Sequence, residues 1–149
     1  TEEQAATLKA AIELGRRCLT ERRNKTYIQS ARDIYDLLGH EMGRLDREQI
    51  RVVMLDIRNG VIDVEIVSIG TINSCIGHPR EIFKSAIVKS AASIIIVHNH
   101  PSGDPSPSPE DFALTKRLIE VGKFLGIEVL DHVVIGDGCY SSIKDLIPQ

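Results

Sequence analysis

The sequence predicts an α/β sandwich, with helices covering both faces of a central mixed sheet. Three observations carry this expectation. Strand-like and helix-like stretches interleave along the chain, and one helix links an early hairpin to a later strand, as in layered α/β domains. Ile94-Ile95-Ile96-Val97 is apolar without a break, as a central strand covered on both faces must be. At 149 residues, 42% hydrophobic and 26% charged, the chain is long enough for one self-supporting core.

The elements follow in order. Residues 3–22 predict a helix, with Leu8, Ala11, Ile12 and Leu19 recurring at three- and four-residue steps. Ser30 opens a second, short helix with Asp33 three residues on, a capping-box pattern, and Gly39 is expected to stop it. Residues 49–58 read as a strand, Asn59-Gly60 as a two-residue type I′ turn, and 61–69 as the returning strand with Ile62, Val64 and Ile66 on one face. Residues 79–91 carry helical spacing at Ile82, Phe83, Ala86 and Ile87, with His78-Pro79 marking the start. After the apolar strand at 93–97, Leu114, Leu118, Val121 and Leu125 make a core stripe on a helix over 109–125, ended by Gly126. Strands at 127–135 and 138–142 flank the turn Gly136-Asp137-Gly138.

Composition narrows the function classes. The net charge of -3 supplies no global attraction for nucleic acid or an anionic membrane, and Arg16, Arg17, Arg22, Arg23 and Lys25 read as a solvated surface. Cys18, Cys75 and Cys139 are odd in number and widely spaced, which argues against a disulfide framework or a cysteine zinc site and suits the cytoplasm. No apolar stretch reaches membrane-spanning length. The chain opens inside a helical pattern without an initiator Met, as a piece of a longer protein would.

The chemistry concentrates in His98-Asn99-His100-Pro101-Ser102-Gly103-Asp104-Pro105-Ser106-Pro107-Ser108-Pro109-Glu110-Asp111. Histidines one residue apart on an extended backbone point the same way, and here they follow a buried strand. A carboxylate eleven residues beyond the second histidine completes the set that an open zinc site needs, two neutral imidazoles and one carboxylate with a place for water. Asp111 and Asp104 compete for that third position. Ser108-Pro109-Glu110-Asp111 is also a capping box with proline at the first helical position, and Gly103-Asp104-Pro105 is also a turn. A hydrolytic site further needs a general base, for which Glu41, Glu48, Glu65 and Glu81 are the upstream candidates. Glu48 stands at the entrance to a strand that would run beside the histidine strand, whereas Glu65 reads as solvated on a polar strand face, Glu81 as a first-turn residue favoured by the helix dipole, and Glu41 lies in a connector without pattern. His132, next to Asp131 in a strand, reads as a core group or a support for a ligand. Asn99 reads as a substrate contact, and His40 has no visible partner.

The run resembles the metal motif of the RadC family, a branch of the JAB/MPN (JAMM) metallopeptidase-like domains. That motif is an upstream Glu, H-x-H, seven residues, Ser, two residues and Asp, which His98, His100, Ser108 and Asp111 match without gaps. The likeness extends from about Asp46 to the C-terminus, through LDIRNGVI, SIGTINS, HPREIFKSA and VLDHVVIG. It implies a cytidine-deaminase-like three-layer sandwich over 41–149, preceded by a helical segment over 1–40. It also implies one zinc ion held by His98, His100 and Asp111, with Glu48 as general base and Ser108 supporting an oxyanion. The implied reaction is hydrolysis of a peptide or isopeptide bond in a peptide or protein substrate. The alternative is a catalytically silent zinc-containing interaction module or DNA-repair accessory, with nucleic acid reached through a helix-hairpin-helix segment upstream of Thr1. A zinc nucleobase deaminase would require H-x-E and P-C-x-x-C, and neither is present.

Overall fold

The computed structural model describes residues 1–21, 25–70 and 78–147; Arg22, Arg23, Cys75, the side chain of Leu19 and the end of the SIGTINS stretch fall outside them. Five strands, β1 (Gln49–Leu55), β2 (Val61–Ile69), β3 (Ser93–Asn99), β4 (Glu128–Ile135) and β5 (Tyr140–Ser142), form one sheet in the order β2-β1-β3-β4-β5. β1 is antiparallel to β2 and β3, β3 is parallel to β4, and β4 is antiparallel to β5. A parallel pair needs a crossover, which helix α5 (Pro109–Leu125) supplies.

Alternation along the inner strands feeds two cores. Val52, Met54, Ile94 and Ile96 pack with Ile82 and Phe83 of α4 (Pro79–Val88) and with Leu114 and Leu118 of α5. On the other face Val53, Leu55, Ile95 and Val97 meet Ile34, Leu38 and Met42. The predicted mixed sheet with helices on both faces is what the chain forms. All seven residues of β3 are buried, as its position between β1 and β4 demands.

The helix after Ser30 does not stop at Gly39. α2 (Ala31–Ile34) runs through a π-helical turn (Tyr35–Gly39) into α3 (His40–Met42). Gly39 has ordinary helical angles, φ -62° and ψ -39°, and makes room for the Tyr35 ring, since a Cβ there would lie 2.5 Å from that ring. The β1–β2 connection is likewise longer than a type I′ turn. Asn59 donates to the Asp56 carbonyl, and Asn59 alone of the Asn-Gly pair has positive φ. The Asp56 carboxylate accepts from the Arg58 and Gly60 amides and pairs with Lys25.

In β2, Ile62 and Ile66 are exposed and do not share a buried face with Val64. The register slips past Ile62 and past Val67, so bulges break the two-residue period on this edge strand. Val61 and Val64 therefore reach one core and Val67 the other. A final helical turn, α6 (Ile143–Leu146), is capped by Ser142 and was not legible in the sequence. α1 (Glu2–Glu21) buries none of its described side chains, and Leu8 and Ile12 are each 63% exposed. Among the described residues no helix is long and apolar enough to cross a membrane.

Candidate metal centre

The site grows from the end of β3. Ile94, Ile96 and His98 alternate onto the α5 face, which leaves His98 only 1% exposed beneath the first turn of α5. His100 follows on the same side, with its Nε2 3.0 Å from Nε2 of His98. The chain then turns back in a loop held against the β4–β5 connection. The His100 amide donates to the Ile135 carbonyl, and the Asp137 amide to the Gly103 carbonyl, each at 2.9 Å. Gly103 has φ +85°, and a Cβ on Gly136 would lie 2.2 Å from the Gly103 oxygen, so both positions require glycine.

That loop delivers Ser108 to the N-terminus of α5. The Ser108 amide and hydroxyl each donate to Asp111 Oδ2 at 2.8 Å, and Ser108 Oγ accepts from the Asp111 amide. The capping box is thus present, and it aims the same carboxylate at the histidines. Asp111 Oδ1 lies 3.4 Å from His98 Nε2, and Oδ2 lies 3.5 Å from His100 Nε2. Burial alone would raise the Asp111 carboxyl; the His100 and His98 rings outweigh it and hold the group well below the usual carboxylate range. Asp111 in turn raises His100.

The proton on His100 is placed by its neighbour. Nδ1 lies 2.9 Å from the Asp104 carbonyl oxygen, which can only accept, so Nδ1 carries a hydrogen; in the neutral ring Nε2 is then the atom with a lone pair for a cation. Asp104 therefore contributes its backbone. Its carboxylate accepts from the Ser106 amide, as the turn reading expects.

Of the four upstream glutamates, the structure brings Glu48 to the site. The ligand atoms of Glu48, His98 and His100 all lie within 4.8 Å of one another, a group that could hold a metal ion. Glu41 is instead engaged by the buried Arg51 guanidinium at 2.6 and 2.9 Å, which holds its carboxyl low. Glu65 lies on the exposed side of β2, and Glu81 pairs with Arg80. Glu48, His100, Ser108, Glu110 and Asp111 line one cavity of about 350 Å³.

Asn99 is not a substrate contact. It is 1% exposed on the opposite face of β3, accepts from the Gln49 amide at 2.8 Å and donates to the Arg47 carbonyl at 3.1 Å. It clasps the backbone on both sides of Glu48. His78 caps α4 by accepting from the Arg80 amide.

Behind the site, His132 Nε2 lies 2.7 Å from His98 Nδ1, and His132 Nδ1 lies 2.6 Å from the Thr115 hydroxyl. Thr115 donates to the Asp111 carbonyl at 2.7 Å. Burial first, and then His98, hold His132 neutral. Asp131 is not its ring partner; that carboxylate accepts from the Ser142 hydroxyl and the Lys144 amide. Sequence reading passed over Thr115. Its signal was the four-residue spacing from Asp111, which places a hydroxyl under that carbonyl in a helix.

Two imidazole nitrogens and one carboxylate with contacts of 3.0–3.5 Å among them suit a small cation, since tetrahedral bonds of about 2.0–2.1 Å separate ligand atoms by roughly 3.3 Å. Residues 28–147 match the family model of the RadC-like JAB domain. A UPF0758 protein of Moorella thermoacetica is 54% identical over 142 residues, covering 95% of this chain and 62% of the relative. UPF0758 proteins of Caldanaerobacter subterraneus subsp. tengcongensis and Methanosarcina mazei are 53% and 50% identical, with 95% of this chain and 61% and 62% of those proteins covered. The chain thus spans about three fifths of the length of these curated relatives. From residue 28 onward the match takes in the sheet, both cores and every side chain of the centre, and the chain belongs to the RadC-like JAB domain family.

Proposed function

We propose that the domain is a zinc-dependent hydrolase of the JAMM type that cleaves a peptide or isopeptide bond. The observation that carries this reading is the convergence of His98 Nε2, His100 Nε2 and the Asp111 carboxylate at 3.0–3.5 Å, with Glu48 beside them on one cavity. In this reading His98, His100 and Asp111 hold one zinc ion. A zinc ion held there would supply Lewis acidity, making water a nucleophile near neutral pH and polarising the scissile carbonyl.

The chain's own residues do the rest. Glu48 takes a proton from the attacking water and returns it to the leaving amine. Its backbone is fixed by Asn99, which keeps the carboxylate at the cavity wall. Ser108 supports the oxyanion; when its hydroxyl turns away from Asp111, the Ser108 amide still holds that carboxylate. In this reading the substrate is a peptide or protein chain. The free Cys18 and Cys139 support a reducing, cytoplasmic setting. Any contact with nucleic acid we assign to the part of the longer relatives beyond this chain.

Plasma-emission metal analysis and a cleavage screen test the proposal. Wild type binds one zinc per chain, His98→Ala loses it, and Glu48→Gln keeps it while losing turnover on a panel of peptides and isopeptides. A wild type that takes up no zinc, or an active Glu48→Gln, overturns the assignment. Zinc-loaded wild type indistinguishable from Glu48→Gln on a proteome-wide screen would leave the silent interaction module as the reading.

A further inference from the structure

We propose that His132 and Thr115 are positioning residues of the metal centre, joined in a buried chain that runs from the His98 ring through the His132 ring and the Thr115 hydroxyl to the backbone carbonyl of Asp111. The inference rests on the zinc reading above and adds to it how two of the ligands are held in register.

Proton bookkeeping gives the chain its direction. For His98 to present a lone pair at Nε2, where His100 and Asp111 converge, its hydrogen must sit on Nδ1. Nδ1 then donates to His132 Nε2 at 2.7 Å. His132, accepting there, carries its own hydrogen on Nδ1 and donates to Thr115 Oγ1 at 2.6 Å. Thr115 completes the run by donating to the Asp111 carbonyl at 2.7 Å. His132 and Thr115 each give one hydrogen and receive one, His98 only gives and the Asp111 carbonyl only receives; reversing the donors would turn a His98 hydrogen toward the cation site and take the Thr115 hydrogen from that carbonyl.

The setting argues for a purpose beyond packing. His98, Thr115 and His132 are 1%, 2% and 0% exposed. His132 is followed by Val133, Val134 and Ile135, all fully buried, so an apolar side chain would fill its place without desolvating a ring. An imidazole there is explained by what it does to His98: it fixes the tautomer and the ring plane, as partners of ligating histidines do elsewhere. Thr115 extends the effect to α5, because its hydroxyl binds the carbonyl of the residue whose carboxylate faces the same cation.

Zinc affinity by chelator competition, the visible spectrum of the Co²⁺-loaded protein and apo-protein Tm test this on four variants. His132→Leu removes the acceptor for His98 and should weaken zinc binding about 10–100-fold, with an altered Co²⁺ ligand-field band. His132→Gln can accept from His98 and donate to Thr115, and should recover wild-type affinity to within a few-fold with the wild-type band. Thr115→Val should weaken binding by less than His132→Leu. The double variant His132→Leu/Thr115→Val should lose less than the two single losses combined, because the ring and the hydroxyl act as one chain. Wild-type affinity in His132→Leu, failure of His132→Gln to recover, or additive losses in the double variant would each refute the chain. Should His132→Leu not fold, Thr115→Val decides together with long-range ¹⁵N–¹H NMR of zinc-loaded wild type: the hydrogen on Nδ1 of both rings supports the relay, and on Nε2 of His132 refutes it. A wild type that binds no zinc overturns the proposed function itself. Tight zinc binding in both wild type and His132→Leu overturns the relay alone.

Discussion

The cap that Asp111 forms and the ligand role proposed for it can be separated by comparing it with Asp33. Both carboxylates sit three residues after a serine in a capping box. Asp33 Oδ2 accepts from the Ser30 amide and hydroxyl at 2.9 and 3.1 Å, and Asp111 Oδ2 accepts from those of Ser108 at 2.8 Å each. Replacing either by alanine forfeits the reciprocal hydrogen bonds and a favourable helix-dipole interaction. For Asp33→Ala the loss is indifferent to zinc. In the proposed reading Asp111→Ala also removes a zinc ligand, so it should forfeit the stabilisation that zinc would confer on wild type. At free zinc 100-fold above the dissociation constant that stabilisation is about 2.7 kcal/mol, or roughly 5–11 °C in Tm for a chain of this size. The assay is differential scanning calorimetry of the three proteins in saturating zinc and in chelator. Wild type and Asp33→Ala should show the full zinc-dependent rise in Tm and Asp111→Ala almost none. An undiminished rise in Asp111→Ala would reduce this carboxylate to a helix cap and refute its place among the ligands.

Two further outcomes follow from the geometry. Asn99→Ala frees the backbone on both sides of Glu48, and turnover in the cleavage assay should fall about 10–100-fold with zinc still stoichiometric; loss of zinc instead would show that Asn99 holds β3 rather than the base. Asp56, bonded by Lys25 and by the Gly60 and Arg58 amides, is held down to about 2 against roughly 3.9 in an unfolded chain. Its stabilising contribution is therefore complete above about pH 4 and fades as pH falls through about 2. Asp56→Asn should accordingly lower Tm at pH 7 and leave it close to wild type at pH 2, and an equal deficit at both would remove the carboxylate's charge as the cause.

The helices from 79 and 109 and the inner strands are legible because their burial imposes a period that survives in the residue order. β2 is less legible: bulges at an edge break the two-residue alternation, and Ile62 and Ile66 face outward where the pattern would have buried them. Gly39 misleads for another reason. A glycine in a helix reads as a stop unless one knows that the Tyr35 ring occupies the space beside it.

At the site, the residue order determined that His98 and His100 point together, that Ser108 caps the helix carrying Asp111, and that the motif is of the RadC kind. Local periodicity suffices for the first two, since each partner lies within a few residues; the third rests on the resemblance of the whole motif. As capping boxes Ser30…Asp33 and Ser108…Asp111 are nevertheless equivalent, and only the resemblance of the longer motif sets the second apart in the sequence. The tertiary structure separates them physically, by folding the second against the end of β3 through a loop pinned by Gly103 and Gly136, where the His98 and His100 rings outweigh the effect of burial and hold Asp111 ionised. The same long-range packing singled out Glu48 from four glutamates, turned Asn99 into a clasp, and set His132 and Thr115 behind His98. Those contacts join residues 17 to 52 positions apart, and no local pattern encodes them.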